Sequence, residues 1–184
     1  VWIVDRSFHV VVFMHARTAA VPWPAHYREY AGIRSKPGHR DGSRAKAQFD
    51  SPTGIAVSLV ADSPVMVYVA DTKNHCIRQL DISTGRVATI AGAAGQAGFR
   101  DGESEKARFH SPASLAIDDT GTNVFVLDNI RQIRVVDVSL TIPIVTTLIA
   151  GACRGISSSI VFSSIVVRRV GCHTDWTASG LVEQ

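Results

Sequence analysis

The sequence predicts an all-β protein, an incomplete β-propeller of four-stranded antiparallel blades, on three observations. The chain repeats itself at a spacing of 60 residues: Gly38-His39-Arg40-Asp41-Gly42 returns as Gly98-Phe99-Arg100-Asp101-Gly102, and Ala47-Gln48-Phe49-Asp50-Ser51-Pro52 as Ala107-Arg108-Phe109-His110-Ser111-Pro112. Residues 38–57 and 98–117 share ten identities in twenty without a gap. Each copy holds short apolar or alternating runs between turn signals, with no useful helical period. Fixed periods of this order mark solenoids, propellers and arrays, and four antiparallel strands per repeat make a propeller blade.

The elements follow in order within one copy. Gly54-Ile55-Ala56-Val57 is short and apolar behind Pro52, which predicts a buried strand entered through a turn. Met66-Val67-Tyr68-Val69-Ala70 is rich in β-formers and ends at the turn former Asp71. Cys76 to Asp81 alternates apolar and polar residues, as a half-buried strand does. Ser83-Thr84-Gly85 is a tight turn, and Val87-Ala88-Thr89-Ile90-Ala91 is a fourth strand closing at Gly92. The second copy supplies Phe125-Val126-Leu127-Asp128 and Ile133 to Asp137. A partial third copy lies at the N-terminus, where Trp2-Ile3-Val4-Asp5 aligns with Tyr68-Val69-Ala70-Asp71 at an offset of 66 and His9 falls on His75.

This divides the chain into a partial blade with an insertion (1–29), a first fuller repeat with its preceding loop (30–91), a second fuller repeat (92–151) and an unpatterned tail (152–184) expected to be poorly ordered. Propellers close with about 4–8 blades, so three copies predict a fragment of a longer protein, with the remaining blades on the same chain.

Composition narrows function. A net charge of +3 permits an anionic partner without arguing for nucleic acid. Three cysteines, Cys76, Cys153 and Cys172, with no CxxC argue against a disulfide framework or a zinc site, and lean toward a reducing, cytoplasmic setting. No apolar run reaches the ~18 residues of a membrane span.

Asp71 with His75, and Asp5 with His9, have the residue types of a metal or acid–base pair. Recurring in successive blades, they read instead as turns whose Asp accepts backbone N–H groups and whose His packs between blades. Asp41-Gly42 and Asp101-Gly102 read as turns with a glycine at positive φ, too poor in oxygen ligands for calcium. Pro52, Gly54, Asn74, Pro112 and Asp128 complete the structural repeat positions. No nucleophile, phosphate-loop or HExxH motif is present, and no cofactor or metal is called for. Lys73, His75, Arg78, Arg100 and Arg134 are the candidate binding residues, as cations in or near loops and at equivalent strand positions.

Ser51-Pro52-Thr53-Gly54-Ile55-Ala56-Val57, the run from Val67 to Arg78 with its Asn74-His75 pair, and Thr89-Ile90-Ala91-Gly92 resemble the NHL repeat family. The resemblance covers roughly residues 1–14 and 30–151 and implies a propeller, typically six-bladed, serving as a non-enzymatic platform for a protein or peptide. Some family members bind RNA on one face, which makes an RNA-binding face the first alternative. Others are lyases on amidated peptide precursors with histidine-ligated metal in the central channel. That second alternative needs inward histidines from three blades, and the second fuller copy has none at the matching place.

Overall fold

A computed structural model describes residues 1–14, 27–60, 63–129 and 132–149. They form three antiparallel sheets. The first contains β1 (Trp2–Asp5), β2 (Val10–Met14) and β3 (Tyr27–Ala31), in that order. The second contains β4 (Gly42–Ser43), β5 (Gly54–Val60), β6 (Ser63–Asp71), β7 (Cys76–Asp81) and β8 (Arg86–Ala91), ordered β5-β6-β7-β8-β4. The third repeats this with β9 (Gly102–Glu103), β10 (Pro112–Ile117), β11 (Asn123–Asp128), β12 (Gln132–Asp137) and β13 (Ile144–Ile149). Among the described residues the only helical turns are two three-residue 3₁₀ segments, Thr72–Asn74 and Ser104–Lys106.

Each full sheet is an all-β meander of the four expected strands plus one short addition. The loop before the blade does more than link: Gly42-Ser43 pairs with Val87 and Arg86 on the outermost strand, and Gly102-Glu103 pairs with Val145 and Ile144. Gly42 and Gly102 enter these pairs at φ 130° and 141°, a region that L side chains rarely adopt. The strand β3 starts at Tyr27, so the first sheet reaches into residues 15–29, the stretch read from sequence as an insertion. The rest of that stretch, and the tail from 152, lie outside the described residues.

Side chains alternate faces along a strand. In β6 both faces are covered, which explains the unbroken apolar run Val67-Tyr68-Val69-Ala70. Val67 and Val69 join Leu80, Val87 and Phe49 in a core shared with Val11 and Ala31 of the first sheet. Tyr68, Ala70, Ile77 and Ile90 pack against Phe109, Val124, Val126, Val136 and Val145 of the third. The core is therefore a series of layers between sheets, and each Ala-x-Phe motif drives its phenylalanine into one of them. At Gly54 the sheets approach so closely that a Cβ would stand 2.6 Å from the Ala113 carbonyl oxygen.

Candidate functional site

The polar residues that the sequence repeats are organised as two devices, each built twice. The first is a buried clasp. Arg78 projects from β7 and is wholly buried. Its Nη1 donates to Asp71 Oδ2 at 2.8 Å and to the Gln48 carbonyl at 3.0 Å. Its Nη2 donates to Asp41 Oδ1 at 2.6 Å and to the Arg40 carbonyl at 2.9 Å. The guanidinium carbon lies 5.0 Å from the centre of the Phe49 ring. One arginine thus ties the end of β6 to the loop from Arg40 to Gln48, whose bonded residues lie 30 to 38 positions before it. Charge-assisted bonds of this kind are the strong ones, and here the guanidinium and Asp71 are fully buried while Asp41 stands half exposed at the outer end of the clasp.

The third sheet repeats the clasp. Arg134 Nη2 donates to Asp101 Oδ1 at 2.8 Å and to the Arg100 carbonyl at 2.7 Å, while Nη1 meets the Arg108 carbonyl and, at 3.4 Å, Asp128 Oδ2. Its guanidinium carbon sits 4.6 Å from the Phe109 centroid. In the first sheet the equivalent position is Val12, a buried apolar residue.

The carboxylates on either side of each arginine differ. Burial pushes Asp71 up to about 6, against the pull of Arg78, the Asn74 amide and the Asp50 N–H. Asp128 also rises to about 6 through burial, opposed by the His110 N–H and Arg134. Burial would raise Asp41 too, but the Thr89 N–H, Arg78 and the Thr89 hydroxyl outweigh it and hold the carboxyl below its ordinary range. Asp101 is lowered likewise, with Thr147 and Arg134 overcoming burial. Asp41 Oδ2 accepts the Thr89 N–H at 3.0 Å, and Asp101 Oδ2 accepts the Thr147 N–H at 3.0 Å.

The second device is a joint between sheets. His9 and His75 both adopt left-handed backbone conformations, φ 59° and 57°, after their strands end. From there His9 Nδ1 accepts the Ser51 N–H at 2.9 Å, and His75 Nδ1 accepts the Ser111 N–H at 3.1 Å. Ser51 and Ser111 are themselves at φ 51° and 61°. Asp71 Oδ1 accepts the Asp50 N–H at 2.8 Å, and Asp128 Oδ1 accepts the His110 N–H at 2.8 Å. Asn74 donates to the Gly38 carbonyl and to Asp71, both at 2.9 Å. Asp5 closes its own turn by accepting the N–H groups of Ser7 and Phe8 at 3.0 Å.

The two joints carry opposite electrostatic companions. His9 Nδ1 lies 3.5 Å from Asp50 Oδ1. His75 instead faces His110, ring centroids 5.9 Å apart, and Phe99 stacks on His110 at 5.4 Å. Burial first, and then the charge on His110, lower the pKa of His75. Folding therefore disfavours its protonated form. The contribution of this joint to stability is complete above the ordinary histidine pKa of about 6.5 and is lost as pH falls below it. The Ser111 amide resonance, followed by NMR from pH 8 to 5, is expected to shift and lose exchange protection as His75 titrates. A Ser111 amide unchanged across that range would remove His75 from the joint.

The five candidate binding residues do not converge. Lys73 is exposed beside His75, with Nζ 3.9 Å from Asp50 Oδ1. Arg100 is exposed at the rim, its Nε donating to the Lys106 carbonyl at 2.7 Å. Arg78 and Arg134, read from sequence as cations for an RNA face, are 0% exposed and consumed by the clasp. That correction has a simple cause: an alternating strand places them on one face, but the preceding loop folds over that face. Gly54 lies where two sheets meet, Pro52 is buried at a strand entry, and Pro112 opens β10. Cys76 is wholly buried, and burial pushes its thiol pKa up, which keeps it protonated. Among the described residues no group of three or more His, Cys, Asp or Glu is placed to hold a metal, and no helix is long and apolar enough to cross a membrane. Phe49, Phe109 and His110 were in the repeated motifs but were not singled out by sequence reasoning.

No protein-family model matches the chain. It is 40% identical over 103 residues to Protein SUPPRESSOR OF QUENCHING 1, chloroplastic, of Arabidopsis thaliana, covering 55% of this chain and 9% of that protein. It is 31% identical over 106 residues to the human NHL repeat-containing protein 2, covering 56% of this chain and 14% of the relative. The bovine counterpart is 30% identical over the same length. The chain thus spans a small part of the curated relatives it matches. Among solved structures, a protein of unknown function from Bacteroides thetaiotaomicron aligns with a TM-score of 0.58 at 23% identity, over 79% of this chain and 32% of that one. An auxiliary nutrient binding protein from Bacteroides ovatus aligns with a TM-score of 0.58 at 21% identity, over 79% and 34%. Those likenesses concern the fold. With the repeated sheets and the named relatives together, the chain is related to the NHL repeat proteins, and its sheets are blades of an NHL-type β-propeller.

Proposed function

We propose that this propeller segment is a non-enzymatic platform for protein or peptide partners. The outward face of the third sheet supports this reading. Ile90 of the second sheet is 8% exposed because the third sheet covers it, whereas its repeat equivalent Leu148 is 55% exposed. Ile144 on the same face of β13 is also exposed. An apolar sheet face of this kind suits another protein surface better than a small polar ligand. Further blades of the same repeat are the first occupants expected there, and the intact ring would then offer its loops to partners. The groups capable of acid–base chemistry support the same reading, since Asp71 and His75 are each engaged in fastening backbone.

Size-exclusion chromatography with light scattering tests it. The 184-residue chain is expected to self-associate, and Leu148→Glu is expected to shift it toward monomer with an unchanged circular dichroism spectrum. A monodisperse wild-type monomer that melts sharply and cooperatively would overturn the reading.

A further inference from the structure

The two inter-blade loops share one backbone and differ in charge. Gly32 N donates to the Arg44 carbonyl as Gly92 N does to Ser104, and Gly38 N donates to Phe49 as Gly98 N does to Phe109. Isolated bridges join Arg40 to Gln48 and Arg100 to Arg108. Yet residues 33–46 carry five cations against the single carboxylate of Asp41, a net +4 that exceeds the +3 of the whole chain. Residues 93–106 carry Arg100 and Lys106 against Asp101, Glu103 and Glu105, a net −1. The second loop therefore shows that the shared geometry does not need the charge of the first.

The excess cations face water. Arg34, Lys36, Arg40, Arg44 and Lys46 are all exposed. Arg34 is occupied by Glu29 and lies 3.6 Å from the Phe8 centroid, and Arg44 lies 4.7 Å from that of Tyr30. Lys36, Arg40 and Lys46 have no carboxylate partner among the described residues. In the second loop the cation Lys106 is met locally by Glu103 at 2.7 Å.

We infer that the loop 33–46 is the docking surface for an acidic, extended polypeptide segment. This rests on the platform reading and names its partner's chemistry. Charge complementarity carries it: separated cations along an exposed loop match a string of carboxylates better than one compact anion. Single-stranded nucleic acid needs open aromatic faces for its bases, and here Phe8 and Tyr30 are already covered by Arg34 and Arg44.

The test is fluorescence anisotropy of a labelled oligoglutamate peptide with the 184-residue chain at low and physiological salt. Lys36→Gln, Arg40→Gln and Lys46→Gln together are expected to weaken binding about tenfold, since three exposed pairs each contribute a fraction of a kcal/mol. Arg100→Gln with Lys106→Gln is expected to leave it unchanged. The circular dichroism melt of the triple variant is expected to match wild type, because among the described residues these side chains hold nothing else in place. No peptide binding, binding indifferent to the triple variant, or tighter binding of an equally charged oligouridine or of anionic phospholipid vesicles would overturn the inference. Association through Leu148 is read separately, so failure here leaves the platform reading standing or falling on its own measurement.

Discussion

Arg78→Met is expected to cost about 3–5 kcal/mol, the range for breaking a buried ion pair from one side. The loss exceeds that of a single bond. Asp71 would be left in a site where burial already raises its pKa to about 6, and the carbonyls of Arg40 and Gln48 would lose their donor. Asp71→Asn is expected to cost less, because Arg78 keeps Asp41 and both carbonyls. Urea unfolding at pH 7 checks the ordering. The pH dependence gives a second readout. A carboxyl whose folded pKa is raised from 3.8 to about 6 contributes stability that is full below pH 3.8 and lost as pH rises through 6. Without Arg78 that loss is expected to extend to higher pH, so the penalty of the variant should be smallest in mild acid. A penalty under about 1 kcal/mol, flat with pH, would mean that the clasp is not a stabilising unit.

Phe109→Ala is the second large effect, again about 3–5 kcal/mol from lost burial and the cavity left behind. The ring is wholly buried in the layer between the second and third sheets and lies beneath Arg134. Repeats joined mainly through neighbour interfaces uncouple when such an interface is weakened. Hydrogen exchange is therefore expected to rise first in β10 to β13, ahead of β5 to β8. Phe109→Leu should restore most of the loss, since the volume is largely kept. Uniform exchange across all sheets in Phe109→Ala would show that the layer does not limit their coupling.

The strands and their repeat were legible because each is a local pattern. Val67 to Ala70 reads as strand from composition alone, and the 60-residue offset aligns Asp41 with Asp101 without any structure. The clasp was not legible for a physical reason. An arginine in an alternating strand normally faces water, and Arg78 is dry only because Arg40 to Gln48 folds over it. A signal did exist: Asp41 recurs with Arg78 as Asp101 recurs with Arg134, while the apolar Val12 stands at the matching position of the first sheet. The histidine joints were half legible, since their turn positions follow from Asp-x-x-x-His. The identity of their donors, the serine N–H groups of the next blade, required the fold.

The bond from Asp41 to the Thr89 amide has a colloidal consequence. An unpaired outer strand invites another chain to extend the sheet, and native proteins blunt such edges. β4 covers only two residues of β8, and beyond them a carboxylate occupies the place where a docking strand would begin its ladder. Asp101 does the same for β13. Since both carboxyls hold their charge below the ordinary range, the guard is electrostatic as well as steric, and it is removed by strong acid. The rim of the blade is thus protected against fibre-like growth by a residue whose own pKa sets the acidity at which that protection ends.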